Sequence, residues 1–164
     1  MMIDDEFMVY GNDRSTPWLE KKGCPVHVSE MARNCDAVLT HDTWGSVLDE
    51  GVPVLLFPVV TDGWLVDIVA FEPSNPDKWY LREGKARILG AENLRYAKVY
   101  KTDLIVHNTP LDWMLSGMDG CVSLTCFSGE DFVGVKKIIG SKSTHEEICH
   151  AIRAAYPLPD FQMK

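Results

Sequence analysis

Val52-Pro53-Val54-Leu55-Leu56-Phe57-Pro58-Val59-Val60-Thr61-Asp62-Gly63-Trp64-Leu65-Val66-Asp67-Ile68-Val69-Ala70-Phe71 is the stretch that decides the fold. It holds two β-branched and aromatic segments, 52–60 and 64–71, separated by Thr61-Asp62-Gly63. Such segments suit the pleated, half-buried surface of a strand, and the glycine tolerates the positive φ that a tight hairpin demands. The reading is a β-hairpin. Proline has no N–H to give a ladder, so Pro53 and Pro58 place the first strand at a sheet edge or put a bulge at Pro58. Such an edge also offers two copies of the chain a way to dimerise. Pro73-Ser74-Asn75-Pro76-Asp77 reads as a turn, and residues 78–82 as a third strand with Trp79 and Leu81 on one face. The meander then runs from about residue 52 to 82.

Upstream, Met31, Cys35, Val38 and Leu39 recur at helical spacing behind Ser29, a good N-cap, and predict a helix over 30–39. Trp44, Val47 and Leu48 predict one more helical turn before Gly51. Gly11, Asn12, Asp13, Pro17 and Gly23-Cys24-Pro25 break any period earlier, so 1–28 is expected as a loosely structured arm and 29–164 as one domain. Downstream, a short helix over 85–89 closed by Gly90 and strands at 96–100 and 104–107 are expected. Thr109-Pro110-Leu111-Asp112 starts a helix: the hydroxyl caps, the proline has no N–H to lose, and the aspartate faces the positive end. Leu111, Met114, Leu115 and Met118 give it one apolar stripe. Gly120 ends it, residues 121–127 read as a buried strand, and another strand falls within 132–139. Ser143 and Glu146 form a capping-box pattern ahead of Ile148, Ile152, Ala155 and Tyr156, a helix stopped by Pro157 and Pro159. The fold class is α+β, a mainly antiparallel sheet covered by two or three helices.

With 164 residues, 46% of them apolar and 24% charged, the chain suffices for one compact domain that needs neither metal nor disulfide to fold. A net charge of -8 argues against a surface built to neutralise phosphates or to dock on anionic lipid. The charge is unevenly spread. Residues 1–75 carry 13 acidic and 4 basic side chains, 76–101 carry 3 and 7, and 102–135 carry five acids and no base. The acidic half suits a basic partner, and only the basic stretch 78–101 leaves room for nucleic-acid contact. Asp4, Asp5 and Glu6 stand where a secretory leader needs cations followed by an apolar run. The longest apolar stretch, 52–60, is nine residues with two prolines, whereas a membrane span takes roughly 20. The five cysteines form an odd set without paired spacing, as expected of reduced thiols in a cytoplasm.

Three sets of residues could carry chemistry or binding. Cys24, His27, Cys35 and His41 supply two thiols and two imidazoles, the ligand types zinc takes in a tetrahedron, although their spacing matches no standard finger. Otherwise they are a core thiol and ordinary loop histidines. Asp67 on one strand and Glu83-Gly84-Lys85 after the next offer two carboxylates for a divalent cation and a lysine to orient water or stabilise charge. Trp18, in the polar arm, is a candidate anchor for a partner. Gly-x-Ser-x-Gly, a phosphate loop and Gly-x-Gly-x-x-Gly are all absent, so serine-nucleophile, ATP and dinucleotide chemistry have no support.

Three resemblances accompany these residues. Asp67 with Glu83-Gly84-Lys85 resembles in outline the active-site pattern of PD-(D/E)xK nucleases, which implies metal-dependent cleavage of nucleic acid. Residues 36–48, ending Thr40-His41-Asp42-Thr43-Trp44-Gly45-Ser46-Val47-Leu48, followed by 51–58, resemble the donor-sugar segment of nucleotide-sugar-dependent glycosyltransferases. That resemblance implies a helix start meeting a diphosphate, with His41 close by. The blocks 62–73, 79–86, Leu89-Gly90, 110–113 and 117–120 are similar to uncharacterised phage and prophage proteins of proteobacteria. This implies a small accessory protein of a mobile element and carries over no catalytic residue. The leading expectation is a cytoplasmic, non-enzymatic module without cofactor that acts through protein contacts. The alternatives are a metal-dependent nuclease and a nucleotide-sugar binder.

Overall fold

The computed structural model describes residues 3–9, 17–46 and 51–156. The hairpin forms where the sequence places it, as β3 (Val52–Thr61) and β4 (Trp64–Glu72). Asp62 and Gly63 turn at φ 54° and 79°, the paired positive values of the tight turn whose twist matches that of the strands. β5 (Asn75–Leu81) continues the meander, and β1 (Arg33–Leu39) and β2 (Trp44–Ser46) extend it on the other side. The five strands lie in the order β2-β1-β3-β4-β5, each pair antiparallel. This sheet curls until the β1–β2 turn reaches the end of β5, where Thr43 bridges Leu81 and the Leu81 N–H donates to the Asp42 carbonyl at 3.0 Å.

β3 is central, not an edge, so dimerisation through it is closed off by strands on both sides. The ladders explain how it tolerates two prolines. Pairing with β4 begins at Leu55, beyond Pro53, and pairing with β1 ends at Leu56, before Pro58. Each proline therefore has a ladder neighbour on one side only. The bulge falls one residue after Pro58, between Val59 and Val60.

The helix expected over 30–39 is instead β1. Helical spacing of Met31, Cys35, Val38 and Leu39 coincides with a second period in which Cys35, Ala37 and Leu39 alternate toward the inside of the curl. Pairing of Cys35 with Val54 and Ala37 with Val52 decides between them. Trp44 likewise starts a short strand, not a helical turn, and residues 47–50 of that expectation lie outside the described residues.

The second sheet is mixed. β6 (Ile88–Leu89), β8 (Cys121–Ser123), β7 (Asp103–His107) and β9 (Lys137–Gly140) lie in the order β6-β8-β7-β9, with β7 parallel to both β8 and β9. Residues 85–89 do not form a helix, and the strand expected at 96–100 is the second half of a helix, Ala91–Tyr100. There Leu94 and Ala97 are buried while Tyr96, Val99 and Tyr100 face out, a helical division that an alternating Tyr-Ala-Lys-Val-Tyr run disguises. The helix Pro110–Leu115 starts as read, with Thr109 Oγ1 accepting from the Asp112 N–H at 3.1 Å. The strand expected over 121–127 is only Cys121–Ser123. In the last helix, Lys142–Ala155, Ser141 and not Ser143 is the cap, its hydroxyl accepting from the Thr144 N–H at 3.2 Å. Pro157 and Pro159 lie outside the described residues. In chain order the helices are α1 (Ile3–Val9), α2 (Pro17–Lys21), α3 (Val26–Ser29), α4 (Ala91–Tyr100), α5 (Pro110–Leu115) and α6 (Lys142–Ala155). Among the described residues no helix is long and apolar enough to cross a membrane.

Three apolar clusters hold these layers. Between the sheets, Leu55, Phe57, Val69 and Phe71 meet Trp113, Met114 and Val122. Leu19, Cys24 and Val28, from the stretch expected as a loose arm, complete that cluster. Inside the curl, Trp44, Leu56, Ile68 and Tyr80 pack with Ile3 and Phe7 of α1. Behind the second sheet, Leu94, Leu104, Phe132 and Ile148 pack under α4 and α6.

Burial pushes the Cys121 thiol up to about 12, aided by Asp131. Cys35 is also pushed up to about 12, by burial and then by Asp36 and Glu6. A thiol held above its unfolded value of about 8.5 binds its proton more tightly in the fold. Its contribution is intact below that value and is lost as the pH rises toward 12. Urea stability is therefore expected to decline through this alkaline window, and alkylation at pH 8 to label exposed Cys126 well before Cys121. Equal labelling rates by mass spectrometry would contradict the burial of Cys121.

Candidate functional site

Asp67, on β4, is fully buried. Its Oδ1 accepts from the N–H groups of Ile68 and Glu83, both at 2.9 Å. Its Oδ2 accepts from those of Lys85 at 2.7 Å and Ala86 at 3.0 Å. The loop leaving β5 wraps round the carboxylate, and Gly84 supplies the left-handed φ of 67° that the wrap needs. A carboxylate has about four acceptor sites, and backbone amides fill them. Glu83 and Lys85 pair with each other at the surface, at 2.9 Å. The structure thus brings Asp67 against the loop that carries Glu83 and Lys85, but as a staple: Asp67 has no oxygen left to share with Glu83 over a cation.

The thiol and imidazole set does not converge. Cys24 lies between the sheets with its thiol 3.7 Å from the Met114 carbonyl, whereas Cys35 lies inside the curl. His27 is exposed, and His41 is exposed beside Asp42 at 3.7 Å. Among the described residues no group of three or more His, Cys, Asp or Glu side chains is placed to hold a metal ion. His41 is followed by a strand, so the helix start that a sugar-diphosphate would need is not there. Trp18 packs on its own domain, its ring centroid 6.4 Å from that of Phe71, with the Lys22 ammonium 5.6 Å from its own ring.

A different surface stands out. A groove of about 820 Å³ runs beside the hairpin, with Leu65, Val66 and Ile88 as apolar walls and Glu83, Lys85 and Arg87 among its polar residues. These charges are already paired, Lys85 with Glu83 and Arg87 with Asp131. The hairpin tip is tied to α4: the Asp62 N–H donates to Glu92 at 2.8 Å, and Arg95 pairs with both Asp62 and Glu92. Trp64, next to Leu65 at that tip, is 74% exposed. Tyr96, Val99 and Tyr100 continue the face of α4 that carries Glu92 and Arg95, and all three are exposed. The two tyrosine rings lie 4.4 Å apart.

No family model, curated protein or solved structure matches this chain.

The surface is therefore read from its geometry. Sequence reasoning passed over it, although two signals were present. A tryptophan directly after a two-residue turn has little core to enter, and residues 92, 95, 96, 99 and 100 share one helical face.

Proposed function

We propose that this chain is a non-enzymatic binding module that takes an apolar segment of a protein partner along the groove beside the β3–β4 hairpin, with Trp64 as anchor. The observation that carries the reading is a large exposed ring at the tip of a hairpin that hydrogen bonds and ion pairs join to α4. Tryptophan, tyrosine and arginine dominate binding hot spots. Apolar walls with internally paired charges favour a segment that brings shape and apolar area over one that brings charge. An accessory role of this kind is also what the resemblance to phage proteins implies.

A photo-crosslinking residue at position 64 of the full chain, expressed in its source cell, is expected to trap a discrete protein. The same residue at exposed position 153 on α6 is expected not to trap it. Val66→Asp should abolish the cross-link while the fold stays cooperative in urea. Identical cross-linking profiles from positions 64 and 153 would sink the proposal. Trp64→Ala should change stability by no more than about 0.5 kcal/mol, because an exposed side chain has little packing to lose.

A further inference from the structure

The second sheet carries a separate crevice. β7 is flanked by parallel strands on both sides, β8 reached through α5 and β9 reached later in the chain. The chain leaves the carboxyl end of β7 toward α5, and the carboxyl ends of parallel strands are where open sheets of this kind bind ligands. A cavity of about 330 Å³ opens there, between the ends of β7 and β8 and the first turns of α6. Its size lies at the lower end for small-molecule pockets, roughly 300 Å³ and upward, and fits a single ring.

Its polar groups have hydrogen-bonding capacity to spare. Asn108 accepts from Ser141 Oγ at 2.7 Å and Thr144 Oγ1 at 2.8 Å, which pins the side chain and leaves its amide N–H donors without a partner among the described residues. The Ser123 hydroxyl is shielded from solvent and makes no hydrogen bond among the described residues. Thr125 and Glu147 also line the cavity, and neither side chain is used by another described residue. Trp79 and Phe127 supply apolar walls, the Trp79 N–H being spent on the Leu124 carbonyl at 2.9 Å. No lysine or arginine is among the lining residues; His107 is, with its Nε2 at 2.9 Å from the Asp119 carbonyl, which accepts from it.

We infer that this crevice binds the vicinal diol of an uncharged sugar ring, as carried by a free monosaccharide or a nucleoside. A carboxylate accepts from two neighbouring hydroxyls, the amide donors of Asn108 and the hydroxyl of Thr125 meet the remaining ring oxygens, and the aromatic walls cover the ring face. A carboxylate in a crevice with no lysine or arginine in its lining selects against phosphorylated ligands. The site is independent of the hairpin groove.

The test is titration of the full chain with D-ribose and with adenosine, followed by amide NMR shifts and calorimetry. Saturable shifts are expected at Asn108, Ser123, Thr125 and the first turn of α6. Binding of ribose supports the inference, and binding of adenosine alone supports it when 2′-deoxyadenosine binds more weakly; adenosine binding indifferent to the 2′-hydroxyl overturns it. Glu147→Gln, on an exposed helical position, should weaken binding by roughly tenfold or more, the cost of a lost hydrogen bond to a charged group. The 2-deoxy analogue of whichever probe binds should weaken similarly. No saturable shift with either probe at about 10 mM, a weaker limit than most functional sites show, would overturn it. So would binding indifferent to Glu147→Gln, or tighter binding of adenosine 5′-monophosphate than of adenosine.

Discussion

Asp67→Ala is expected to lower the stability of the fold by about 3 to 5 kcal/mol, the range found when one partner of a buried charged arrangement is removed. The carboxylate is fully buried and accepts from four backbone amides, three of which belong to the loop at 83–86. Alanine leaves those amides without their acceptor, two of them in buried and two in part-buried bonds, and each unmatched buried donor costs about 1 to 3 kcal/mol unless water enters. Asp67→Asn has the same shape but turns an NH₂ group toward two N–H donors, so at least half the loss should remain. Urea denaturation measures both variants. Amide exchange at Glu83, Lys85 and Ala86 should accelerate together in Asp67→Ala, because one acceptor holds all three. A loss below about 1 kcal/mol, or unchanged exchange in that loop, would show that the carboxylate does not hold it.

Gly120→Ala is expected to be at least as damaging. Gly120 sits at φ 77°, and a Cβ there would run into the backbone carbonyl of Ile105 on β7. Its own carbonyl accepts from Trp113 Nε1 at 2.9 Å and Asn93 Nδ2 at 2.8 Å. A shift that relieved the clash would therefore pull apart the junction of α4, α5 and β8. The expected loss exceeds about 4 kcal/mol, the range that marks core disruption and not surface change. Gly23→Ala is the matched control: its φ of 84° is equally left-handed, but a Cβ there meets nothing within 4 Å. It should cost only the conformational penalty of about 1 to 2 kcal/mol. Equal urea midpoints for the two variants would refute the steric argument.

The two positions also show where sequence reasoning stops. Gly120 was legible as a helix terminator, but its proximity to Ile105 depends on packing between residues 15 apart. Asp67 was legible as an acid in an apolar strand. Acid and lysine suggested chemistry because side-chain types are visible in a sequence, whereas the amides that satisfy Asp67 carry no sequence signal. The crevice at the end of β7 was invisible for the same kind of reason: Asn108, Ser123 and Glu147 are ordinary residues until three elements meet.

By itself the sequence determined the meander and the start of α5, because the Asp62-Gly63 turn, the β-branched runs and the Thr109-Pro110 cap are local preferences that no distant contact opposes. It also determined the α+β class. Only the tertiary structure decided that β1 is a strand, that residues 96–100 are helical and that β3 lies at the centre of its sheet. In the first two cases helical and strand periods coincide over a few residues, and burial against a partner breaks the tie. In the third, two prolines are tolerated centrally because the neighbouring ladders are offset along the strand, a property of register that no single segment contains.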